Sequence, residues 1–293
     1  METLPRIEGA LGAALARSTA QGCPPELAAA LRHAVFPGGA RIRPKLCLAV
    51  ARACGDDRPG LTDAAAAAVE LLHCASLVHD DMPCFDAADL RRGLPTVHRA
   101  YGERLALLAG DALIVLAFEE LALAGASCSA RLVPLLATVA AGVGSPHGIV
   151  AGQAWECESQ VDLGDYHRAK TGALFAAAAG AGALAAGASP QGWCAFGLRL
   201  GEAYQVADDI RDAAADAQVM GKPAGRDAAL GRPNMATAHG VAGALARYEA
   251  LVDKVIDAVP PCHGAAALRT MVRMESERLL PKAWQGELSR LAA

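Results

Sequence analysis

Apolar residues recur along this chain at three- and four-residue intervals, and strict alternation is nearly absent. That periodicity predicts helices throughout. Segments expected to be helical run over about 4–18, 25–35, 39–54, 61–82, 104–125, 130–144, 147–159, 163–188, 192–216, 240–258 and 264–279, with ends uncertain by a few residues. Turn-forming residues separate them: Pro24-Pro25, Pro37-Gly38-Gly39, Gly55-Asp56-Asp57, Gly93-Leu94-Pro95, Ser189-Pro190 and Gly221-Lys222-Pro223. No stretch of disordered composition divides the chain, so residues 1–293 read as one all-α domain, a bundle with long central helices.

Composition sharpens this picture. Hydrophobic residues make up 53% of the 293 positions and aromatic residues only 4%, and alanine is abundant, as in the run from Ala64 to Ala68. Such a sequence favours helices packed closely on helices. The net charge of −4 gives no reason to expect a nucleic-acid partner. Nine cysteines with no CxxC pair argue against a disulfide framework or a structural zinc site and for a reducing, cytoplasmic home. The start, Met1-Glu2-Thr3-Leu4, lacks the basic and apolar regions of a secretory signal. The small-residue run from Ala173 to Ala188 is short for a membrane span and reads as a buried helix, so no transmembrane segment is expected.

Two acidic clusters carry the chemistry. The first is Asp80-Asp81-Met82-Pro83-Cys84-Phe85-Asp86, with Asp89 close behind; the second is Asp208-Asp209-Ile210-Arg211-Asp212. Each follows an apolar run. Carboxylates stacked at the end of a helix repel one another and oppose its dipole. A single acidic patch is usually just a solvated face. Two of them, each followed by a basic loop (Arg91-Arg92-Gly93, and Lys222 to Arg226), point to neutralising cations. Ligands made only of oxygen suit a hard ion, most naturally Mg²⁺ beside substrate phosphates. Asp208 and Asp212, four apart, share a helix face, and Gln205 lies one turn earlier. Asp80 and Asp86 would diverge on an ideal helix at about 100° per residue. The chain must therefore leave the helix near Pro83 for both to reach a common ion.

The segment Phe36-Pro37-Gly38-Gly39-Ala40-Arg41-Ile42-Arg43-Pro44 carries two arginines through a glycine turn into a helix, a pattern that suits a phosphate. His73 lies about two helical turns before Asp80, on roughly the same face. A lone helical histidine is more often a core residue than a ligand.

Taken together and in order, these segments resemble the trans-isoprenyl diphosphate synthases over nearly the whole chain. The resemblance rests on Gly38-Gly39-Ala40-Arg41-Ile42-Arg43-Pro44, His73 to Asp86, Asp89-Leu90-Arg91-Arg92-Gly93-Leu94-Pro95-Thr96, Gly110-Asp111, Gly152-Gln153, Lys170-Thr171-Gly172-Ala173-Leu174, Gln205 to Asp212 and Gly221-Lys222-Pro223. Residues 35–44 and 151–156 are similar to the geranylgeranyl diphosphate synthases of proteobacterial carotenoid and bacteriochlorophyll pathways. The resemblance implies an isoprenoid-synthase fold: an antiparallel helical bundle around a central cavity, assembled as a homodimer. It implies a short-chain prenyltransferase that ionises dimethylallyl, geranyl or farnesyl diphosphate and couples the cation to isopentenyl diphosphate.

By the same resemblance, Asp80, Asp86, Asp208 and Asp212 hold Mg²⁺, three ions when substrate is bound. Asp81 and Asp209 support them. Arg91, Lys170 and Lys222 contact the allylic diphosphate. Thr171 and Gln205 face the developing cation. Gly39, Arg43, His73 and Arg92 bind isopentenyl diphosphate. The chain departs from the family at Ala40, where lysine is usual, so either Arg41 or Arg43 compensates or affinity for isopentenyl diphosphate falls. Ser76 and Ala75, four and five residues before Asp80, are small where bulky residues stop elongation at fifteen carbons. The twenty-carbon product is therefore expected, with the fifteen-carbon farnesyl diphosphate as the alternative. A terpene cyclase would not need a second diphosphate site. A regulatory subunit of a heteromeric synthase would tend to lose the Asp clusters.

Overall fold

The computed structural model describes residues 3–36, 38–215 and 235–281. Among them helices dominate, and the only sheet is one two-stranded hairpin. Contacts divide the chain into two units, Met1–Val139 with Ala181–Ala188, and Ala140–Gly180 with Ser189–Ala293.

The first unit opens with α1 (Thr3–Ser18) and α2 (Pro25–Val35), which starts on a proline, as first-turn positions allow. Helix α3 (Ile42–Cys54) begins later than its periodicity predicts, because residues 38–40 are extended and Arg41 is left-handed (φ 52°). It ends on Gly55 at φ 112°, a conformation suited to glycine. Helix α4 (Pro59–Asp80) is the core element. Its alanine run is buried, and it packs on α1, α3 and α6 (Glu103–Gly125). Although α4 is long and apolar enough to cross a membrane, 78% of its apolar window is buried inside the fold, as expected of a core helix. Strands β1 (Leu90–Arg91) and β2 (Leu94–Pro95) form an antiparallel hairpin, followed by the short α5 (Val97–Tyr101). Strands of two residues carry too little pattern to be read from sequence. Helix α7 (Ser129–Val143) ends the unit's main segment and runs on into the second.

The second unit contains α8 (Ile149–Ala154), a 3₁₀ turn (Trp155–Cys157), α9 (Leu163–His167), a π-helical turn (Arg168–Gly172) and the start of α10 (Ala173–Ala185). The sequence reads 163–188 as one helix; the π turn interrupts it. Helix α10 is buried along its length, as its composition implies. Helix α11 (Gln191–Ala215) approaches it closely. A side chain at Gly197 would meet the Phe175 carbonyl oxygen at 2.4 Å. Helix α12 (Met235–Asp257) packs on α11 and is broken at Gly240 (φ 72°), where the sequence pattern begins its helix. Helix α13 (Ala265–Leu279) closes the described chain. None of the nine cysteines forms a disulfide.

Candidate active site

The first acidic cluster forms where α4 stops. Asp80 is its last helical residue, and the chain then turns back on the helix end. The amide of Asp86 donates to the Asp80 carbonyl at 2.9 Å, and that of Ala88 donates to Asp81 at 3.0 Å. Ala87 takes a left-handed φ of 48° to complete the loop. The result brings carboxylate oxygens of Asp80 and Asp86 within 4.8 Å of each other. This is the departure from helix that the spacing demands. Two hard oxygen donors at this separation fit a divalent cation. Asp81 turns inward instead. It is 3% exposed and accepts two hydrogen bonds from Arg91, from Nε and Nη2, each 2.7 Å. Burial disfavours the Arg91 charge, but Asp81 and then Asp80 hold its pKa above the ordinary value. Arg91 Nη2 lies 3.9 Å from Asp80. Asp81 thus anchors the hairpin to the acidic end of α4.

Hairpin β1–β2 places the next arginine. Arg92 and Gly93 form its two-residue turn, both with positive φ (55° and 80°), as a type I′ turn requires. Thr96 fastens the base of the hairpin, donating to the Ala88 carbonyl at 2.6 Å. Arg92 then lies against Gly39: a Cβ on Gly39 would sit 2.3 Å from the Arg92 Nη2 atom. On the same unit, Arg43 Nη1 is 3.4 Å from His73 Nε2. The structure therefore brings together Gly39, Arg43, His73 and Arg92. His73 is pushed well below its usual pKa, first by burial and then by the charges of Arg43, Arg92 and Arg91. It is a neutral imidazole among guanidinium groups, a setting that favours an anion.

Arg41 and Arg43 part ways. Arg41 is 2% exposed and donates to Glu8 (2.8 Å), Glu70 (2.7 Å) and the Val35 carbonyl (2.9 Å). Burial works against its charge, but Glu8 and Glu70 outweigh it and raise its pKa. Arg41 is structural and cannot stand in for a lysine at exposed Ala40. Of the two arginines expected to compensate, Arg43 is the one beside His73.

In the second unit, Asp208 and Asp212 are exposed on α11, one turn apart, while Asp209 is 1% exposed. Asp209 accepts from Gln205 Nε2 (2.9 Å) and from the Met235 amide (2.8 Å). Gln205 in turn accepts from Thr171 Oγ1 (2.5 Å). This chain of bonds fixes the Gln205 amide and ties α11 to the π turn that carries Lys170 and Thr171. Single-turn π segments frequently mark functional positions. Lys170 is ion-paired with Glu156. Glu156 closes the 151–156 segment that the sequence resemblance includes, but the resemblance assigns it no role. Lys222 lies outside the described residues.

A family model described as polyprenyl synthetase matches residues 24–265. The chain is 56% identical to the geranylgeranyl diphosphate synthase of Cereibacter sphaeroides, over 94% of this chain and 96% of that one. It is 51% identical to the geranylgeranyl diphosphate synthase of Rhodobacter capsulatus, over 94% and 95%. Among solved structures it is similar to an FPP/GFPP synthase from Zymomonas mobilis (TM-score 0.80, 31% identity, 94% and 97% covered). It is also similar to a geranyltransferase from Helicobacter pylori complexed with magnesium and isoprenyl diphosphate (TM-score 0.74, 29% identity, 96% and 98% covered).

Proposed function

The chain belongs to the polyprenyl synthetase family and is a prenyltransferase, and from that premise we propose that it couples isopentenyl diphosphate to allylic diphosphates, with geranylgeranyl diphosphate as the main product. One observation carries the reading. A single unit holds both a carboxylate pair, Asp80 and Asp86, and a basic cluster of Arg43 and Arg92 around neutral His73. The first suits a diphosphate escorted by cations. The second suits another diphosphate without them. An enzyme acting on one diphosphate needs only the former.

Asp80, Asp86, Asp208 and Asp212 would hold Mg²⁺ ions, which neutralise the departing pyrophosphate. Lys170 and Lys222 contact the same leaving group, and Arg91 adds charge from its seat on Asp81. The hard step is charge separation, so preorganised cations at the leaving group supply the largest benefit. Thr171 and Gln205 turn oxygens toward the cation. Their mutual hydrogen bond keeps the amide from rotating. Gly39, Arg43, His73 and Arg92 hold isopentenyl diphosphate, and the proton lost after coupling goes to pyrophosphate.

We further propose that residues 1–293 act as one domain, in the cytoplasm, in carotenoid or related pigment synthesis. Leu107, Leu108, Val115 and Leu123 on α6 are each about half exposed or more. A stripe of this kind supports a homodimer seam. The test is purified chain with Mg²⁺, isopentenyl diphosphate and dimethylallyl or farnesyl diphosphate, with products separated by chromatography and mass measured by light scattering. A dimer that makes the twenty-carbon diphosphate unaided supports the reading. No product without an added subunit would overturn it.

A further inference from the structure

Lys170 does not stand alone on its π turn. The Lys170 ammonium and the Tyr166 hydroxyl both donate to Glu156 Oε1, the latter at 2.7 Å. Gln153 Nε2 donates to Glu156 Oε2 at 3.2 Å. The Lys170 nitrogen also lies 5.7 Å from the centre of the Tyr166 ring, within cation–π range. The sequence places these groups by a simple device. A Cβ on Gly152 would fall 2.3 Å from the Lys170 amide nitrogen, so glycine lets α8 dock directly on the π turn. Gln153 follows at once, and the 3₁₀ turn Trp155–Cys157 swings Glu156 onto the lysine. Tyr166, 5% exposed and one turn before Lys170, holds the carboxylate from the other side.

We propose that Glu156 is a positioning residue for Lys170, with Tyr166 and Gln153 completing a clamp that fixes the ammonium for the departing pyrophosphate. The proposal rests on the reading that Lys170 contacts the allylic diphosphate. A lysine carries three freely rotating donors on a flexible stem. Here two acceptor-side contacts, a carboxylate and a ring face, select one arrangement before substrate arrives. Glu156 has a cost as well, since its negative charge opposes ground-state binding of a diphosphate. Replacing it with glutamine keeps the shape and removes the charge. The ammonium then binds the diphosphate as well as before but is less well placed when charge develops. A loss that appears only in the transition state lowers kcat without raising KM.

The test is a double-mutant cycle on the purified enzyme with farnesyl and isopentenyl diphosphates, following kcat and both KM values. In the wild-type background Glu156→Gln is expected to lower kcat roughly ten-fold, less than the roughly 10²-fold that a full 1 Å misplacement can cost. The allylic KM does not rise, and the thermal midpoint stays within about 2 °C. Glu156→Asp recovers part of the rate. Tyr166→Phe, which removes one donor and keeps the ring, shifts kcat the same way by less. In the Lys170→Ala background Glu156→Gln has no further effect. An equal loss in both backgrounds, or a loss carried by the Mg²⁺ requirement in the Lys170→Ala enzyme, would overturn the proposal. So would unchanged kcat in Glu156→Gln while Lys170→Ala is impaired. If Lys170→Ala itself leaves allylic kinetics intact, the role given to the lysine falls, and the clamp with it.

Discussion

Arg41 donates to Glu70 across 2.7 Å in the interior of the first unit, where neither side chain is more than 3% exposed. Arg41 pays for this place with left-handed backbone at φ 52°, a conformation costing roughly 1–2 kcal/mol. Glu8 and the Val35 carbonyl complete its partners. Arg41→Ala would leave Glu70 charged, buried and uncompensated. We expect a loss of about 3–5 kcal/mol of stability, read from denaturant unfolding. A loss under about 1 kcal/mol, the range of exposed pairs, would refute the structural role.

On the proposed reading, this geometry leaves Arg43 as the arginine that serves isopentenyl diphosphate. Arg43→Ala should raise the KM for that substrate by roughly ten-fold or more, since a charge-assisted hydrogen bond contributes about 1.5–3 kcal/mol. Ala40→Lys, on the exposed surface of the same segment, should lower it. The allylic KM should move little in either variant. Steady-state kinetics with each substrate varied in turn decides this, and equal effects on both substrates would contradict the division into two sites.

His73 supplies a pH test. Burial, then Arg43 and Arg92, hold its folded pKa well below the usual value. The unfolded chain takes up a proton near pH 6.5, while the folded chain does not. The stability that His73 contributes is therefore full above about pH 6.5 and falls as pH drops below it. Thermal midpoints between pH 7.5 and 5.5 should fall more steeply for the wild type than for His73→Gln. Parallel curves would contradict the assignment.

On the proposed reading, product length depends on the face of α4 that leads away from Asp80. Ser76 lies about 40° around the helix from Asp80, and Ala75 about 140°. Ser76 is partly exposed and donates to the His73 carbonyl at 2.8 Å, while Ala75 is 1% exposed. A bulky residue at Ser76 has room to floor a growing chain; at Ala75 it must first displace packed neighbours. Ser76→Phe should shift the main product from twenty to fifteen carbons, and Ala75→Phe should do so at a cost in stability. If chromatography finds the product of Ser76→Phe unchanged, the floor lies elsewhere, and partly buried Phe118 on α6 becomes the next residue to vary.

Much of this was legible in the sequence, for stated physical reasons. The alanine run of α4 and its acidic end are long, periodic features, and the angle between Asp80 and Asp86 forced a break that the structure contains. Asp208 and Asp212 share a face because four residues nearly complete a turn. The sequence could not separate Arg41 from Arg43, because their inward and outward directions depend on a left-handed residue and on Glu8 and Glu70, distant in the chain. Hairpin Leu90–Pro95 escaped because each strand is two residues long. The π turn escaped because a one-residue change of register leaves hydrophobic spacing almost intact. Glu156 escaped because a lone acid after an exposed tryptophan looks like surface until its partners are in view.

The most direct measurement is pyrophosphate release from farnesyl diphosphate and isopentenyl diphosphate by the purified chain, with Mg²⁺ and with excess chelator, for the wild type, Asp80→Ala and Asp208→Ala. Removal of a group that stabilises developing charge costs about 10²–10³ in rate. The wild type should turn over only with divalent metal, and each alanine variant should fall by that factor or more. Release that persists in chelator, or an Asp80→Ala or Asp208→Ala enzyme as fast as the wild type, would contradict the assignment of these aspartates to a metal-bound diphosphate.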